Sequence, residues 1–137
     1  MVFVLAASCT FAGGSNGRAL PPLPTVMDVT MSEYRYDHPP QAVAGRIVFR
    51  VHNAGKEEHE LILVAIPEEV TSLEEQLRSE SRVGVETIVT LRRRAPASSG
   101  TFAADLGPGR YGFICFIVGA DDVSHALKGM SSEFRVP

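Results

Sequence analysis

Short runs in which apolar and polar residues alternate dominate the chain from residue 25 onwards. The clearest is residues 46–53, where Ile47, Phe49 and Val51 fall on one face of an extended chain. Alternation with a period of two is typical of strands that bury one face, and residues 60–66 are apolar enough for a central strand. Further segments of this kind are residues 25–36, 83–85, 88–91, 100–106, 110–116 and 132–136. Turn signals separate the runs, so the series predicts an all-β sandwich.

One segment departs from this rhythm and favours a short helix within residues 70–78. Thr71 and Ser72 are both candidates for its N-cap, because a hydroxyl there can accept a hydrogen bond from a free backbone N–H. Leu73 and Leu77 are four residues apart and would share one face of the helix. Two glutamates would lie in its first turn. The predicted fold is therefore a β-sandwich with one short helix.

The first residues are apolar and lead into small side chains, as the end of an export signal does. Residues 5–9 also resemble a bacterial lipobox, in which Cys9 becomes the lipid-modified N-terminus. The alternative is an exported protein with an incidental cysteine. Residues 10–24 are rich in glycine, serine and proline, which is typical of a flexible linker. We expect a signal remnant or lipobox in residues 1–9, one domain in residues 25–137, and a location in the periplasm or at the cell surface.

The composition argues against several kinds of partner and activity. The net charge of −3 does not favour a polyanionic partner, and the basic run at residues 92–94 is too short to indicate a nucleic-acid surface. The sequence has no glycine-rich phosphate loop, nucleophile elbow or paired-histidine zinc helix, so we do not expect an enzyme. We expect a monomer that meets a membrane only through a lipid at Cys9, if that cysteine is modified.

Four side chains offer soft donor atoms for a metal. In the C-terminal part Cys115 is followed by His125 and Met130, and His59 lies far upstream. A thiolate, two imidazoles and a weak axial thioether are the ligands of blue-copper electron-transfer sites. Taken alone, the cysteine and the methionine could simply pack in the core, and the histidines could face solvent. A disulfide between Cys9 and Cys115 is a further, less favoured alternative.

Two patterns in the chain resemble those of the cupredoxin family. The first is Gly-x-Tyr-x-Phe-x-Cys at residues 109–115, followed by His-Ala-x-x-Gly-Met at residues 125–130 and a final strand. The second is Asn-x-Gly at residues 53–55, followed by a histidine that opens an apolar strand. The resemblance covers residues 25–137. It implies an eight-stranded Greek-key sandwich with copper at one end.

In that arrangement copper is held by His59, Cys115 and His125, with Met130 as the fourth ligand. We expect His59 to reach the metal from the start of a strand in the sheet opposite Cys115. Nine residues separate the cysteine from the second histidine, whereas the interval in typical blue-copper domains is much shorter. A glycine and two aspartates in this interval indicate that the extra residues form a turn outside the site.

Two further groups of residues are expected near the metal. Phe113, Phe116 and Leu127 are apolar neighbours that are predicted to keep water out. An acidic group is expected to form a solvent-facing loop surface or to orient a ligand histidine through its carboxylates. The members of this group are Glu57, Glu58, Glu60, Asp121 and Asp122.

The resulting hypothesis is an exported protein that binds one copper ion and passes single electrons to a redox partner protein. A copper carrier or sensor that uses the same ligands is one alternative. A metal-free sandwich that serves as an interaction module is the other. His38, in a proline-rich turn, and His52, on a strand face directed to solvent, are poorer candidates for ligands.

Overall fold

The computed structural model describes residues 25–80 and 84–137, which form two four-stranded sheets. The strands are β1 (Thr25–Ser32), β2 (Arg35–Asp37), β3 (Gly45–Asn53), β4 (His59–Ile66), β5 (Glu86–Arg94), β6 (Ser99–Leu106), β7 (Gly109–Ile114) and β8 (Ser131–Val136). Within these ranges one helix, α1 (Leu73–Arg78), connects β4 with β5. The predicted all-β sandwich with a short helix is confirmed.

The N-terminal predictions concern a part of the chain that the structure does not describe. The signal remnant or lipobox with Cys9, and the linker in residues 10–24, lie outside the described residues and stay predictions. Among the residues that are described, no helix has the length and apolar character needed to cross a membrane.

The strand order determines which parts of the chain meet at each end of the sandwich. One sheet has the order β2-β1-β3-β6, and the other has the order β5-β4-β7-β8. β1 and β3 run parallel, and the remaining neighbours are antiparallel. The chain passes from one sheet to the other in the turn at residues 54–58, between β3 and β4. This turn leads directly into His59.

The inward-facing side chains of both sheets meet in one apolar core. Ile47, Phe49 and Val51 of β3 are buried, as the alternation predicts. Phe113 of β7 and Phe134 of β8 pack against Phe49, with ring centroids 5.9 and 6.2 Å from it. Because side chains alternate between the two faces of a strand, Arg50 and His52 of β3 are exposed, whereas Asn53 at its end is buried on the side of Val51. Burial of this apolar surface is the main source of the sandwich's stability.

Helix α1 covers part of the outer face of the second sheet. Ser72, one of the two predicted candidates, is the N-cap, and its Oγ accepts a hydrogen bond from the N–H of Glu75 at 3.1 Å. Leu73 and Leu77 are buried on the side of the helix that faces the sheet. The cluster that they join also contains Val64, Ile66, Val70, Ile114 and Ala126. Strand β7 is consequently buried on both faces.

Strand β7 ends at Ile114, two residues earlier than the sequence predicts. The N–H of Cys115 still donates to the carbonyl of Met130 at 3.2 Å. The N–H of Phe116, however, donates to the side-chain carboxylate of Glu60 at 3.1 Å. The Phe116 N–H thus bonds to a side chain and not to the backbone of a neighbouring strand, so the chain leaves the sheet directly after Cys115.

Candidate metal centre

Three of the predicted ligands converge at one end of the sandwich. His59, Cys115 and His125 are buried, with relative exposures of 0, 0 and 1%. The Nδ1 atoms of the two histidines lie 3.2 Å apart, and the Sγ of Cys115 lies 3.6 Å from the Nδ1 of His125. One donor atom from each residue lies within 4.8 Å of the other two. These side chains form a compact set of two imidazoles and a sulfur.

The pairing of β4 with β7 brings His59 and Cys115 together. The two strands are antiparallel neighbours, with Ile62 opposite Ile114. The start of β4 therefore lies beside the end of β7, where the histidine and the cysteine are found. The expectation that they come from opposite sheets is wrong, because β4 and β7 are neighbouring strands of the same sheet.

The long interval between Cys115 and His125 folds into a compact turn whose two aspartates lie outside the donor cluster. Val118 forms a bridge with Ser124, and the N–H of Gly119 donates to the carbonyl of Val123 at 3.0 Å. At the base of the turn, the N–H of His125 donates to the carbonyl of Ile117 at 2.8 Å. The extra residues thus lie outside the site, as predicted, and the backbone returns to the metal-binding end.

Backbone hydrogen bonds hold Met130 next to two of the donor residues, His125 and Cys115. Its N–H donates to the carbonyl of His125 at 2.9 Å, and its carbonyl accepts the N–H of Cys115 at 3.2 Å. The side chain is fully buried. Gly129 precedes it with φ +107°, a backbone conformation that side chains other than glycine's rarely adopt. The role of Met130 as an axial ligand stays a prediction.

Each of the two histidines has a carboxylate beside its second ring nitrogen. The Nε2 of His125 lies 3.1 Å from the Oε2 of Glu57, and the Nε2 of His59 lies 3.5 Å from the Oε1 of Glu33. Neither nitrogen makes a well-aligned hydrogen bond, although both are buried. Burial lowers the pKa of His125, and the nearby His59 lowers it further, while Glu57 acts in the opposite direction. The Nδ1 atoms therefore face the cluster, and the Nε2 atoms face acidic groups.

A tyrosine and a lysine extend this arrangement to the surface. The ring of Tyr34 lies edge-on to the ring of His125, with centroids 4.9 Å apart. Its hydroxyl donates to Glu57 at 3.1 Å and accepts from the Nζ of Lys128 at 3.2 Å. Lys128 in turn pairs with Asp121 at 2.8 Å. Sequence reasoning considered Glu57 as a group that could orient a histidine, but it missed Glu33 as well as Tyr34 and Lys128.

The other two histidines lie away from the cluster, as expected. His38 contacts Ser132 through Nε2 at 2.8 Å and lies edge-on to Phe113. His52 is exposed on β3, where its Nδ1 lies 2.8 Å from the Oγ of Ser99. Both are occupied by hydroxyl contacts far from the three donors.

The expectation about apolar shielding is only partly right. Phe113 is fully buried, but Phe116 and Leu127 are 43% and 44% exposed. Phe116 points outwards because the chain has left the sheet at this position. Two of the three side chains predicted to keep water out are therefore partly exposed to solvent.

Two of the three donor spacings match those expected around a single metal ion. Bonds of about 2.0–2.1 Å to nitrogen and about 2.3 Å to sulfur, at tetrahedral angles, place two nitrogens about 3.3 Å apart and a nitrogen and sulfur about 3.6 Å apart. The corresponding distances here are 3.2 and 3.6 Å. Two imidazoles with a cysteine sulfur suit copper or zinc better than hard cations such as magnesium.

The cysteine needs a cation to act as a thiolate in this position. Burial is the largest influence on Cys115, and it raises the pKa of the thiol. A metal ion bound at the sulfur reverses this effect, because the positive charge stabilises the deprotonated form. Cys115 is also a free cysteine, without a disulfide partner among the described residues.

Comparison with solved structures identifies the fold. An auracyanin from the photosynthetic bacterium Roseiflexus castenholzii, reduced with dithionite, is 20% identical with a TM-score of 0.59, over 85% of this chain and 99% of that one. Auracyanin A, a "blue" copper protein from the green thermophilic photosynthetic bacterium Chloroflexus aurantiacus, is 17% identical with a TM-score of 0.57, over 83% and 99%. Auracyanin B is 15% identical with a TM-score of 0.58, over 86% and 93%.

No protein-family profile and no curated protein match the chain. Auracyanins are cupredoxins, and the match covers 85% of this chain. The chain therefore has a cupredoxin-family fold, as its sequence patterns predict.

Proposed function

We propose that this protein is an exported electron carrier that binds one copper ion. His59, Cys115 and His125 would hold the ion, with Met130 as a weak axial ligand. When bound, copper supplies one-electron exchange between Cu(I) and Cu(II). The observation that carries the proposal is the convergence of two imidazole nitrogens and a sulfur at spacings that fit one ion.

The way in which the donors are held supports electron transfer. His59 and Cys115 come from adjacent antiparallel strands, so the ladder between β4 and β7 fixes their separation. His125 is attached by backbone hydrogen bonds to Ile117 and Met130. A donor set that is fixed in advance favours electron exchange, because little rearrangement accompanies the change in charge. Burial of all three donors also keeps water away from the ion.

An apolar surface beside the site supports a protein partner. Large apolar side chains are exposed in the segment that carries His125. They are Phe116, Val118, Val123 and Leu127. Exposed apolar groups of this size mark interaction sites when they are grouped together. We propose that a redox partner protein docks against this segment, near the buried ligands.

The location and the form of the protein are part of the same proposal. The apolar residues that lead into small side chains at the start of the chain support export to the periplasm or the cell surface. A lipid at Cys9 would then attach the sandwich to a membrane through residues 10–24. We propose a monomeric electron carrier rather than an enzyme.

Copper loading of the purified protein tests the proposal. We expect one Cu(II) per chain and an intense visible absorption band from charge transfer between the Cys115 thiolate and the metal. The Cys115→Ser variant should lose this band, because it lacks the sulfur. The His52→Ala variant is the matched control and should keep it, since His52 is exposed and contacts only Ser99 through its ring.

The same experiment separates the alternatives. Tight Cu(I) binding without a stable coloured Cu(II) form would favour a copper carrier or sensor. A protein that stays colourless and binds neither oxidation state would contradict the proposal and favour a metal-free interaction module.

A further inference from the structure

We propose that Glu57 is a positioning residue that fixes the ring of His125 with its Nδ1 towards the metal. The inference rests on the proposed copper site and concerns how this chain builds it despite the long interval between Cys115 and His125. Glu57 does not touch the metal in this proposal. It acts through the histidine, from the turn that leads into His59.

The backbone alone leaves the ring of His125 free to rotate. Its N–H and carbonyl are bonded to Ile117 and Met130, and these contacts fix the main chain only. A ring flip about the Cβ–Cγ bond would exchange the positions of its nitrogen and carbon atoms. Groups that contact the ring must therefore select the productive orientation. Tyr34 packs against its edge, and Glu57 lies beside its Nε2.

The position of the ring hydrogen explains why a carboxylate is needed. A neutral imidazole that binds a metal through Nδ1 carries its hydrogen on Nε2. The Nε2 of His125 is buried, and a buried N–H without an acceptor is costly. The Oε2 of Glu57 lies 3.1 Å away, and alignment of the two groups would give this N–H its acceptor. Ligand histidines commonly place this second N–H against a carboxylate or carbonyl, which fixes their tautomer and orientation.

Glu57 is itself held on several sides. Its Oε1 accepts the hydroxyl of Tyr34 at 3.1 Å, which leaves Oε2 directed towards His125. Its N–H donates to Glu33 at 2.9 Å, and its carbonyl accepts the Nδ2 of Asn53 at 2.8 Å. Glu33 lies beside the other ligand histidine, so one turn orients both rings.

Its neighbour Glu58 provides a matched control. It carries the same charge in the same turn, but its carboxylate pairs with Arg93 at 3.6 Å on an exposed surface. The other titratable groups that face His125 are Tyr34, Cys115 and His59, and Lys128 bonds to the hydroxyl of Tyr34. If negative charge alone mattered, removing either glutamate would change Cu(I) binding to a similar extent. If Glu57 positions the ring of His125, only the Glu57 variants should change it.

The experiment compares Glu57→Ala, Glu57→Gln and Glu58→Ala with the unmodified protein. Cu(I) affinity is measured by competition with a chromophoric chelator, and the reduction potential by titration of the copper-loaded protein. We expect Glu57→Ala to weaken Cu(I) binding by about 10–100-fold. Glu57→Gln should recover most of the loss, because its amide oxygen can still accept the N–H. Glu58→Ala should stay within about twofold, as exposed ion pairs contribute little.

A second readout uses the metal-free protein and does not depend on copper. Nitrogen-15 NMR above about pH 8, where ordinary imidazoles are neutral, distinguishes the two ring tautomers. We expect the Nε2–H form for His125 in the unmodified protein and in Glu58→Ala, and a mixture of both forms in Glu57→Ala. If Glu57→Ala and Glu58→Ala show the same tautomer and the same affinity, the inference is wrong.

The two readouts keep this inference separate from the proposed function. A protein that forms no coloured copper complex contradicts the electron carrier, while a tautomer change in Glu57→Ala that is absent from Glu58→Ala still supports the positioning role. Should Glu57→Ala fail to fold, Glu57→Gln decides: a shifted reduction potential with the His125 tautomer retained supports the inference. A reduction potential that changes no more in Glu57→Gln than in Glu58→Ala overturns it.

Discussion

Glu33 connects the turn after β1 with the approach to His59. Its Oε1 accepts the N–H groups of Lys56 and Glu57 and lies beside the His59 ring. The N–H of Glu57 is the largest influence, and together with that of Lys56 it lowers the pKa of the Glu33 carboxyl from 4.5 to about 2. The ionised carboxylate therefore stabilises the folded protein.

This shift predicts how stability depends on pH. Because the folded pKa lies below the unfolded value, the contribution of Glu33 is complete above about pH 4.5 and is lost as the pH falls towards 2. We expect Glu33→Gln to lower the free energy of unfolding of the metal-free protein by about 1–2 kcal/mol at pH 6, after allowance for solvent screening. Below pH 3 the difference should be much smaller. Urea unfolding across this range measures it.

An exposed glutamate serves as the control for this prediction. Glu68 lies in the turn between β4 and α1 and is exposed, so Glu68→Gln should follow the profile of the unmodified protein. Parallel profiles for Glu33→Gln and the unmodified protein between pH 6 and pH 2 would contradict the role assigned to the Glu33 hydrogen bonds.

Soft donors could be recognised from the sequence, but the groups around them could not. A cysteine followed by a histidine and a methionine is a pattern of soft metal donors, which few functions other than metal binding require. Glu33 and Tyr34 carry no such pattern, since acidic and aromatic residues in a turn usually face solvent. Their contacts join positions 23 or more residues apart, which depends on how the strands assemble.

At the scale of elements, Gly112 allows α1 and β8 to approach β7 closely. A Cβ placed on this glycine would lie 2.7 Å from the Cδ2 of Leu73 and 2.7 Å from the carbonyl oxygen of Ser132. The second contact involves the backbone of the neighbouring strand, which cannot move without disturbing the pairing of β7 with β8. The absence of a side chain is therefore a requirement of the packing.

We predict that Gly112→Ala destabilises the protein by about 1–3 kcal/mol, the usual cost of overpacking a buried position. Chemical unfolding of the metal-free protein measures the effect. Gly107→Ala is the matched control: a Cβ there meets nothing within 4 Å, so the change should stay within about 0.5 kcal/mol. Equal stability of Gly112→Ala and the unmodified protein would show that the helix and strand can separate at little cost.

The sequence predicted the strands better than their limits. Alternation correctly placed Ile47, Phe49 and Val51 in the core. Successive side chains of a strand point to opposite faces in any sheet, so this pattern does not depend on how the strands are arranged. It overextended β7, since the acceptor that ends the strand is the side chain of Glu60 from a neighbouring strand. The end of an element is set here by a long-range contact that no local pattern encodes.

For the whole molecule, the proposed ion would connect three separate parts of the chain. His59 opens β4, Cys115 follows β7, and His125 lies in the connection to β8. A ligand that binds only the folded state raises the free energy of unfolding, and the gain grows with the logarithm of the ratio of free ligand concentration to dissociation constant. Metal binding should therefore raise the unfolding temperature of the whole sandwich.

We predict that Cu(I) at about 100 times its dissociation constant adds about 2.7 kcal/mol and raises the midpoint of thermal unfolding by roughly 10 °C. Calorimetry with and without the metal, under anaerobic and reducing conditions, tests this. Removal of the metal with a chelator should reverse the rise, and His59→Ala should abolish it. A rise of the same size in His59→Ala would mean that the metal binds elsewhere.

The overall architecture could be predicted from the sequence, whereas the sheet that holds each ligand could not. Short strands and turn signals lead to a sandwich whichever way the strands are connected. The assignment of His59 to the sheet opposite Cys115 was wrong because it depends on where β4 crosses between sheets, a property of the complete strand order.

The hairpin that separates Cys115 from His125 is fastened at its base. The hydrogen bond from His125 to Ile117 and the bridge between Val118 and Ser124 close it, so the ends of the turn at residues 119–123 are fixed by backbone contacts. The length of this tip is thereby separated from the geometry of the donors, whereas Asp121 within it still pairs with Lys128, which bonds to Tyr34 beside His125. A tip that keeps Asp121 could therefore be exchanged to change the proposed partner protein while the proposed copper centre stays the same.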